Sequence, residues 1–240
     1  MTTRYQLPVR DTLATAWHKV HGSKKTFWAA IVVLFLTAIG FAIVENVTRH
    51  FSHGLAHLIN GISQITLHLM QMGMLYLGIL RARETPINYR LMFRAFDWEI
   101  GLKVIGTYIL LLLIFLSFVF LIAFSLFATH DDGNIATFAG AIISLIAMAF
   151  MLFFSVRLFL ALGLALDIKA NPINAIKTSW KSTGGNFWRL LAVLIIQFII
   201  VLVSAIPFGI GLIWTIPFIY NLYGTVYNRL TQVEPVQQGL

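Results

Sequence analysis

Apolar residues run through this chain in long unbroken stretches separated by short polar breaks. Six stretches stand out, at roughly 27–44, 55–80, 101–128, 134–166, 187–206 and 208–230. A helix rises 1.5 Å per residue, so about 20 residues cross a hydrocarbon core about 30 Å thick. Backbone in hydrocarbon must satisfy its own hydrogen bonds. A closed strand barrel would need alternating segments of about ten residues, and these runs are continuous. The pattern predicts an all-α polytopic membrane protein, with residues 1–240 forming one integral membrane domain of six transmembrane helices. The breaks fall at Glu45–Gly54, Arg81–Glu99, His130–Gly133 and Asp167–Asn186, with a tight turn near Pro207. The run at 134–166 is longer than a bilayer requires. It is expected to tilt, to bend near Gly163 or to project into the cytoplasm.

The polar breaks have a pattern of their own. In "NPINAIKTSWKSTGGNFWRLL", Pro172 suits the first turn of a helix. Ala175, Ile176, Ser179, Trp180 and Thr183 follow at helical spacing, with Lys177 and Lys181 off that face. Gly184-Gly185 then ends the helix. This reads as a short amphipathic helix on the inner surface, its lysines among anionic headgroups. Pro8 leads similarly into Leu13, Ala16 and Trp17, and Pro86 into Leu91, Ala95 and Phe96. Trp17, Phe96, Trp180, Lys177 and Lys181 are the expected interfacial anchors. Each unit is a proline, an interfacial helix, an aromatic entry and two spans, so three interfacial helices and a threefold internal repeat are expected. The simpler alternative is that any cytoplasmic loop collects prolines and basic residues.

Composition changes the picture little. The 240 residues are 59% hydrophobic and 11% charged, too apolar for a soluble domain. A net charge of +8 could suggest nucleic acid, but the basic residues are scattered through short loops, so no nucleic-acid partner is expected. Their distribution does carry information. Fifteen of the 17 Lys and Arg fall in the N-terminus, the second and fourth breaks and the tail, leaving Arg49 and Arg157. The positive-inside bias places both termini and the long breaks in the cytoplasm. The partners expected are the bilayer and anionic headgroups on its cytoplasmic side. A cleaved leader is not expected, because the first apolar run begins after 26 residues. The chain has no cysteine, which excludes disulfides, thiolate metal sites and thiol nucleophiles.

The segment from Val156 to Leu191, "VRLFLALGLALDIKANPINAIKTSWKSTGGNFWRLL", resembles the signature of a family of bacterial polytopic proteins. That family includes the membrane domain attached to some glycerophosphodiester phosphodiesterases and related uncharacterised six-span proteins. The matching positions are Arg157, Asp167, Pro172, Ala175, Ser179-Trp180, Gly184 or Gly185, and Phe187-Trp188-Arg189. The "VYNRL" near the end is similar to the family's closing pattern, with Asn228 near the place of its acid. Gly163 stands where members often have proline. The resemblance implies a six-span layout in the inner membrane of a bacterial cell and assigns no activity. No soluble phosphodiesterase barrel is present in these 240 residues.

Two features carry candidate chemistry. At about 100° per residue, His50, His53, His57, Asn60, Gln64, His68 and Gln71 form one polar stripe on an apolar helix. Three readings compete. The stripe is interhelical hydrogen-bonding glue, or the wall of a polar cavity, or a metal site in which His50, His53 and His57 present three imidazoles. The second feature is Arg157, a costly charge inside an apolar run. It either pairs with Glu84, Asp97, Glu99 or Asp167, or binds an anion or lipid headgroup. The carboxylates are scattered, and no nucleophile elbow, zinc-protease motif or phosphate loop occurs. Neither a catalytic residue nor a cofactor is expected. The functional expectation is a role in membrane or envelope physiology, through transport or binding of a lipid-like or small polar ligand, or through organising partners. The alternative is a metal-dependent membrane enzyme using the outer histidines.

Overall fold

The computed structural model describes residues 6–128, 134–206 and 209–231. The expected breaks at His130–Gly133 and Pro207 lie outside the described residues. Those residues form helices and contain no strand. In order they are α1 (Val9–His18), α2 (Lys24–Arg49), α3 (His53–Ala82), a 3-10 helix (Tyr89–Phe96), α4 (Trp98–Ala128), α5 (Asn134–Arg157), α6 (Ala161–Asp167), α7 (Pro172–Thr183), α8 (Phe187–Ala205) and α9 (Leu212–Thr231).

Four stretches are long and apolar enough to cross a membrane: Lys24–Arg49, Trp98–Phe127, Thr137–Asp167 and Phe187–Ala205. The fold is therefore all-helical, with the character of a membrane protein. Helices α3 and α9 have 30 and 20 residues. They are less apolar because α3 carries the His/Asn/Gln stripe and α9 carries tyrosines and asparagines.

Short helices punctuate the long ones, and α6 adds a further short helix after α5. A short helix precedes each pair of long ones: α1 before α2 and α3, the 3-10 helix before α4 and α5, α7 before α8 and α9. Within each pair the long helices pack on each other. The segment after Pro86 is a 3-10 helix rather than the α-helix expected, with the Asn88 side chain accepting the Arg90 N–H at its start.

The long apolar run does not bend at Gly163, which lies buried inside α6. It breaks at Leu158–Leu160 instead. Helix α7 supports that break. Ser179 Oγ donates to the Arg157 carbonyl at 2.9 Å and accepts the Leu160 N–H at 3.2 Å, and the Thr183 hydroxyl reaches the same carbonyl at 3.0 Å. The end of one helix and the start of the next are thus satisfied by a third.

Burial concentrates at one end of the bundle. Phe27 and Ala30 of α2, Met70 to Leu80 of α3, Ile100 and Val104 of α4, Leu190 and Val193 of α8, and Phe218 to Leu230 of α9 supply most of it. The three short helices lie at this end. Ala16 of α1, Met92 of the 3-10 helix and Ala175 of α7 are fully buried. Away from it, Phe35, Phe51, Phe120, Phe124, Phe138 and Phe198 are exposed. Glycines let backbones meet: a Cβ on Gly73 would fall inside the Met92 carbonyl of the 3-10 helix. A Cβ on Gly78 would fall inside the Tyr220 carbonyl, and one on Gly224 inside that of Gly78. Helices α3 and α9 therefore touch backbone to backbone. Lipid tails give no hydrophobic drive between helices, so such close packing is where cohesion comes from.

Polar ties close the ring. Arg229 of α9 donates to Asp11 at 2.6 Å and Thr12 at 2.8 Å on α1, and Arg189 of α8 donates to Gln6 at 2.6 Å. Lys19 pairs with Glu84, and its ammonium holds that carboxyl below the usual carboxylate range.

Candidate functional site

The most buried charges join α3, α6 and α9. Just past the end of α3, the Arg83 guanidinium grips Asp167 with both Nη atoms, at 2.8 and 2.6 Å. The Tyr227 hydroxyl donates to Asp167 Oδ2 at 2.9 Å. Arg83 Nε donates to Asn228 Oδ1 at 2.9 Å, and Asn228 Nδ2 donates to the Ile79 carbonyl at 3.1 Å. The Arg83 and Asp167 side chains are 9% and 4% exposed. Both charges are neutralised and each Arg83 nitrogen donates a hydrogen bond, which makes this a structural lock.

That pairing decides the state of Arg157. Asp167 belongs to Arg83, Glu84 to Lys19, and Glu99 to Lys103 and Lys169. Asp97 caps α4 by accepting the Glu99 and Ile100 N–H groups. None of the four carboxylates expected as partners reaches Arg157. Its guanidinium instead lies over the Trp180 ring, 4.2 Å from the centroid, with Phe153 at 5.9 Å. Arg157 Nε is buried with no hydrogen-bond partner. Gly184 makes the position possible, since a Cβ there would sit 2.7 Å from Nη1.

Beside this cation is a cleft of about 590 Å³ between α5 and the α7–α8 corner, walled by Leu152, Phe153, Phe187, Trp188 and Leu191. A guanidinium over an aromatic face, with unused donors beside an apolar cleft, can receive an anionic group attached to an apolar body.

The polar stripe is divided among several surroundings. Asn60 donates to Glu45 Oε2 at 2.9 Å, and Glu45 also pairs with Arg49 at 2.6 Å, so Asn60 ties α3 to α2. His57, Gln64 and Gln71 are exposed. Gln64 and His68 line a cavity of about 330 Å³ between α3 and α4. Its far wall carries Tyr108, whose ring centroid lies 5.3 Å from that of His68. The expected metal face does not assemble. His50 caps the end of α2 while His53 opens α3, so the turn at Phe51–Ser52 separates them. Among the described residues no three His, Asp or Glu side chains stand where they could hold a metal.

The interfacial anchors have mixed surroundings. Trp17 and Phe96 are 45% and 44% exposed, and Lys177 and Lys181 are exposed. Trp180 is half-buried, with Phe153 and Phe154 at 5.7 and 5.4 Å. The inner face of α7, formed by Ala175, Ser179 and Thr183, is buried against the protein.

Sequence reasoning missed Arg83, Tyr108 and Tyr227 as participants. Arg83 read as one of many loop cations, and no spacing ties Tyr108 to His68 forty residues away. Of the motif residues, Ser179 and Gly184 both meet Arg157, whereas Asp167 is held apart in the Arg83–Tyr227 lock. In comparisons with known proteins, no family model, no curated protein and no solved structure matches the chain.

Proposed function

We propose that this chain is a six-span bacterial inner-membrane protein that holds an anionic, lipid-like ligand in the cleft beside Arg157. At 1.5 Å per residue, α3 and α9 reach about 45 and 30 Å, enough to cross with the four more apolar stretches. The lysine- and arginine-rich breaks mark the cytoplasmic side, with both termini. On this reading the three pairs of long helices and their preceding short helices are three copies of one unit. The resemblance of Val156–Leu191 to the membrane domain of some phosphodiesterases belongs to the same reading. The role is in envelope physiology, through holding or moving the ligand.

One observation carries it: a guanidinium without a carboxylate, its Nε buried and unbonded, beside an apolar cleft. A cation in hydrocarbon is costly unless paired. Since the described carboxylates near it are engaged, the counter-charge comes from outside the protein. A phosphate ester matches a guanidinium's paired donors, and its acyl chains match the cleft wall.

The test uses the full chain in phosphatidylcholine nanodiscs titrated with dioctanoyl phosphatidic acid. Wild type is expected to bind it saturably, Arg157→Gln to lose about tenfold in affinity, and Arg157→Lys to retain part. Equal affinity in wild type and Arg157→Gln would overturn the ligand reading. Because the chain has no cysteine, single cysteines report topology cleanly. One at Thr48 should label from outside, and those at Thr15, Asn88 and Thr178 from inside; labelling of Asn88 from outside would overturn six spans.

A further inference from the structure

The cleft between α3 and α4 has a different chemistry from the Arg157 cleft; it needs no ligand at Arg157 but rests on the six-span reading, in which α3 crosses the bilayer. No charged residue lines it. Its polar atoms come from Gln64, His68 and Tyr108, and their hydrogen bonding can be worked out. His68 Nδ1 lies 2.8 Å from the Gln64 backbone carbonyl. A carbonyl only accepts, so Nδ1 carries the hydrogen and Nε2 presents a lone pair in the neutral ring. The Tyr108 hydroxyl, 3.4 Å from Nε2, is then the donor in a long contact. Its oxygen lone pairs remain free. The Gln64 side-chain amide is exposed and has no hydrogen-bond partner among the described residues, so it offers two N–H donors and a carbonyl.

Depth narrows what can meet those groups. Gln64 and His68 lie near the middle of the 30-residue α3, about 15 Å or more from either end. In a six-span protein that is deep in hydrocarbon, where neither water nor a phospholipid headgroup resides. An amide left unbonded there is costly. The cavity of about 330 Å³ is at the small end of ligand sites, large enough for a ring or a short segment of a lipid.

We propose that this cleft binds a neutral lipid whose polar part is a carbonyl or hydroxyl oxygen carried deep in the bilayer. The oxygen accepts from the Gln64 amide and lies within reach of the Tyr108 hydroxyl. A hydroxyl-bearing ligand also donates, to Tyr108 Oη or the Gln64 carbonyl. The apolar remainder lies along Ile65 and Ile109 and leaves into the bilayer. A quinone ring and the free alcohol of a diacylglycerol share this chemistry.

Two probes separate those sources: decylubiquinone and dioctanoylglycerol, each titrated into the full-length protein in phosphatidylcholine nanodiscs. At least one should bind saturably, and the better one identifies the class. Gln64→Leu should weaken it about tenfold. Ile65→Trp, which fills the cavity from an exposed position, should abolish binding without changing the circular dichroism spectrum or the melting temperature. Dioctanoyl phosphatidic acid is the cross-control. Its binding should survive Gln64→Leu and Ile65→Trp and fall in Arg157→Gln, so either site can fail without the other. Saturable binding of neither probe would overturn the proposal, as would a folded Ile65→Trp protein that binds like wild type. A Gln64→Cys disulfide between two copies, undiminished by either probe, would overturn it too, because a second copy would then fill the cleft.

Discussion

Arg83 and Asp167 illustrate how unequal two ways of removing a charge can be. Asp167→Asn keeps the shape of the side chain but leaves Arg83 buried, 9% exposed, with no counter-charge. Breaking a buried pair from one side costs about 3–5 kcal/mol. Thermal unfolding in detergent should therefore show a large loss for Asp167→Asn. The double variant Arg83→Met/Asp167→Leu should lose less, because no bare charge remains. If the double variant is as unstable as the single, the pair contributes more than mutual neutralisation. At this scale the sequence was partly legible. Arg157 stands out as a lone charge in an apolar run. Its lack of a carboxylate partner was not readable, because it depends on the end of α3 reaching Asp167 first, from 84 residues away.

Helices α3 and α9 meet through Gly78 and Gly224, so the contact has no side chain to yield. Gly224→Leu must separate the two backbones and with them the Arg83–Asp167–Tyr227 lock. Overpacking of this kind costs about 1–3 kcal/mol or more. The expected result is a lower melting temperature than that of a leucine placed at Gly40, where an added Cβ meets nothing within 4 Å. Equal effects at the two sites would show that the close crossing does not bear on stability. Element positions were legible because the hydrophobic runs are long and the prolines sit at helix starts. The apolar face of α7 was legible as well, but much of what it faces was not. Ala175, Ser179 and Thr183 turn onto the protein and hold the α5–α6 break, a task that no periodicity encodes. The bend, one of three outcomes open for that run, falls just before Gly163 rather than at it. Gly163 looks like a flexible point in sequence, yet it is buried beside Tyr223 and Tyr227, and the chain turns at Leu158–Leu160.

At the scale of the whole molecule, cohesion is uneven. Interhelical locks, buried glycines and the three short helices gather at one end, while large aromatic and aliphatic residues elsewhere face outward. A frame joined tightly at one end, with scattered polar ties such as Asn60–Glu45 and Ser204–Thr215 elsewhere, leaves more of its spacing to the medium around it. On the proposed reading, lateral pressure and acyl-chain length should then change how wide the clefts stand. Spin labels at Thr48 and Ile206, at the loose end, should change separation between nanodiscs of short-chain and long-chain lipid. Labels at Thr15 and Thr178, on the joined end, should keep theirs. Such a protein would report the thickness of the membrane it sits in without any dedicated sensor element.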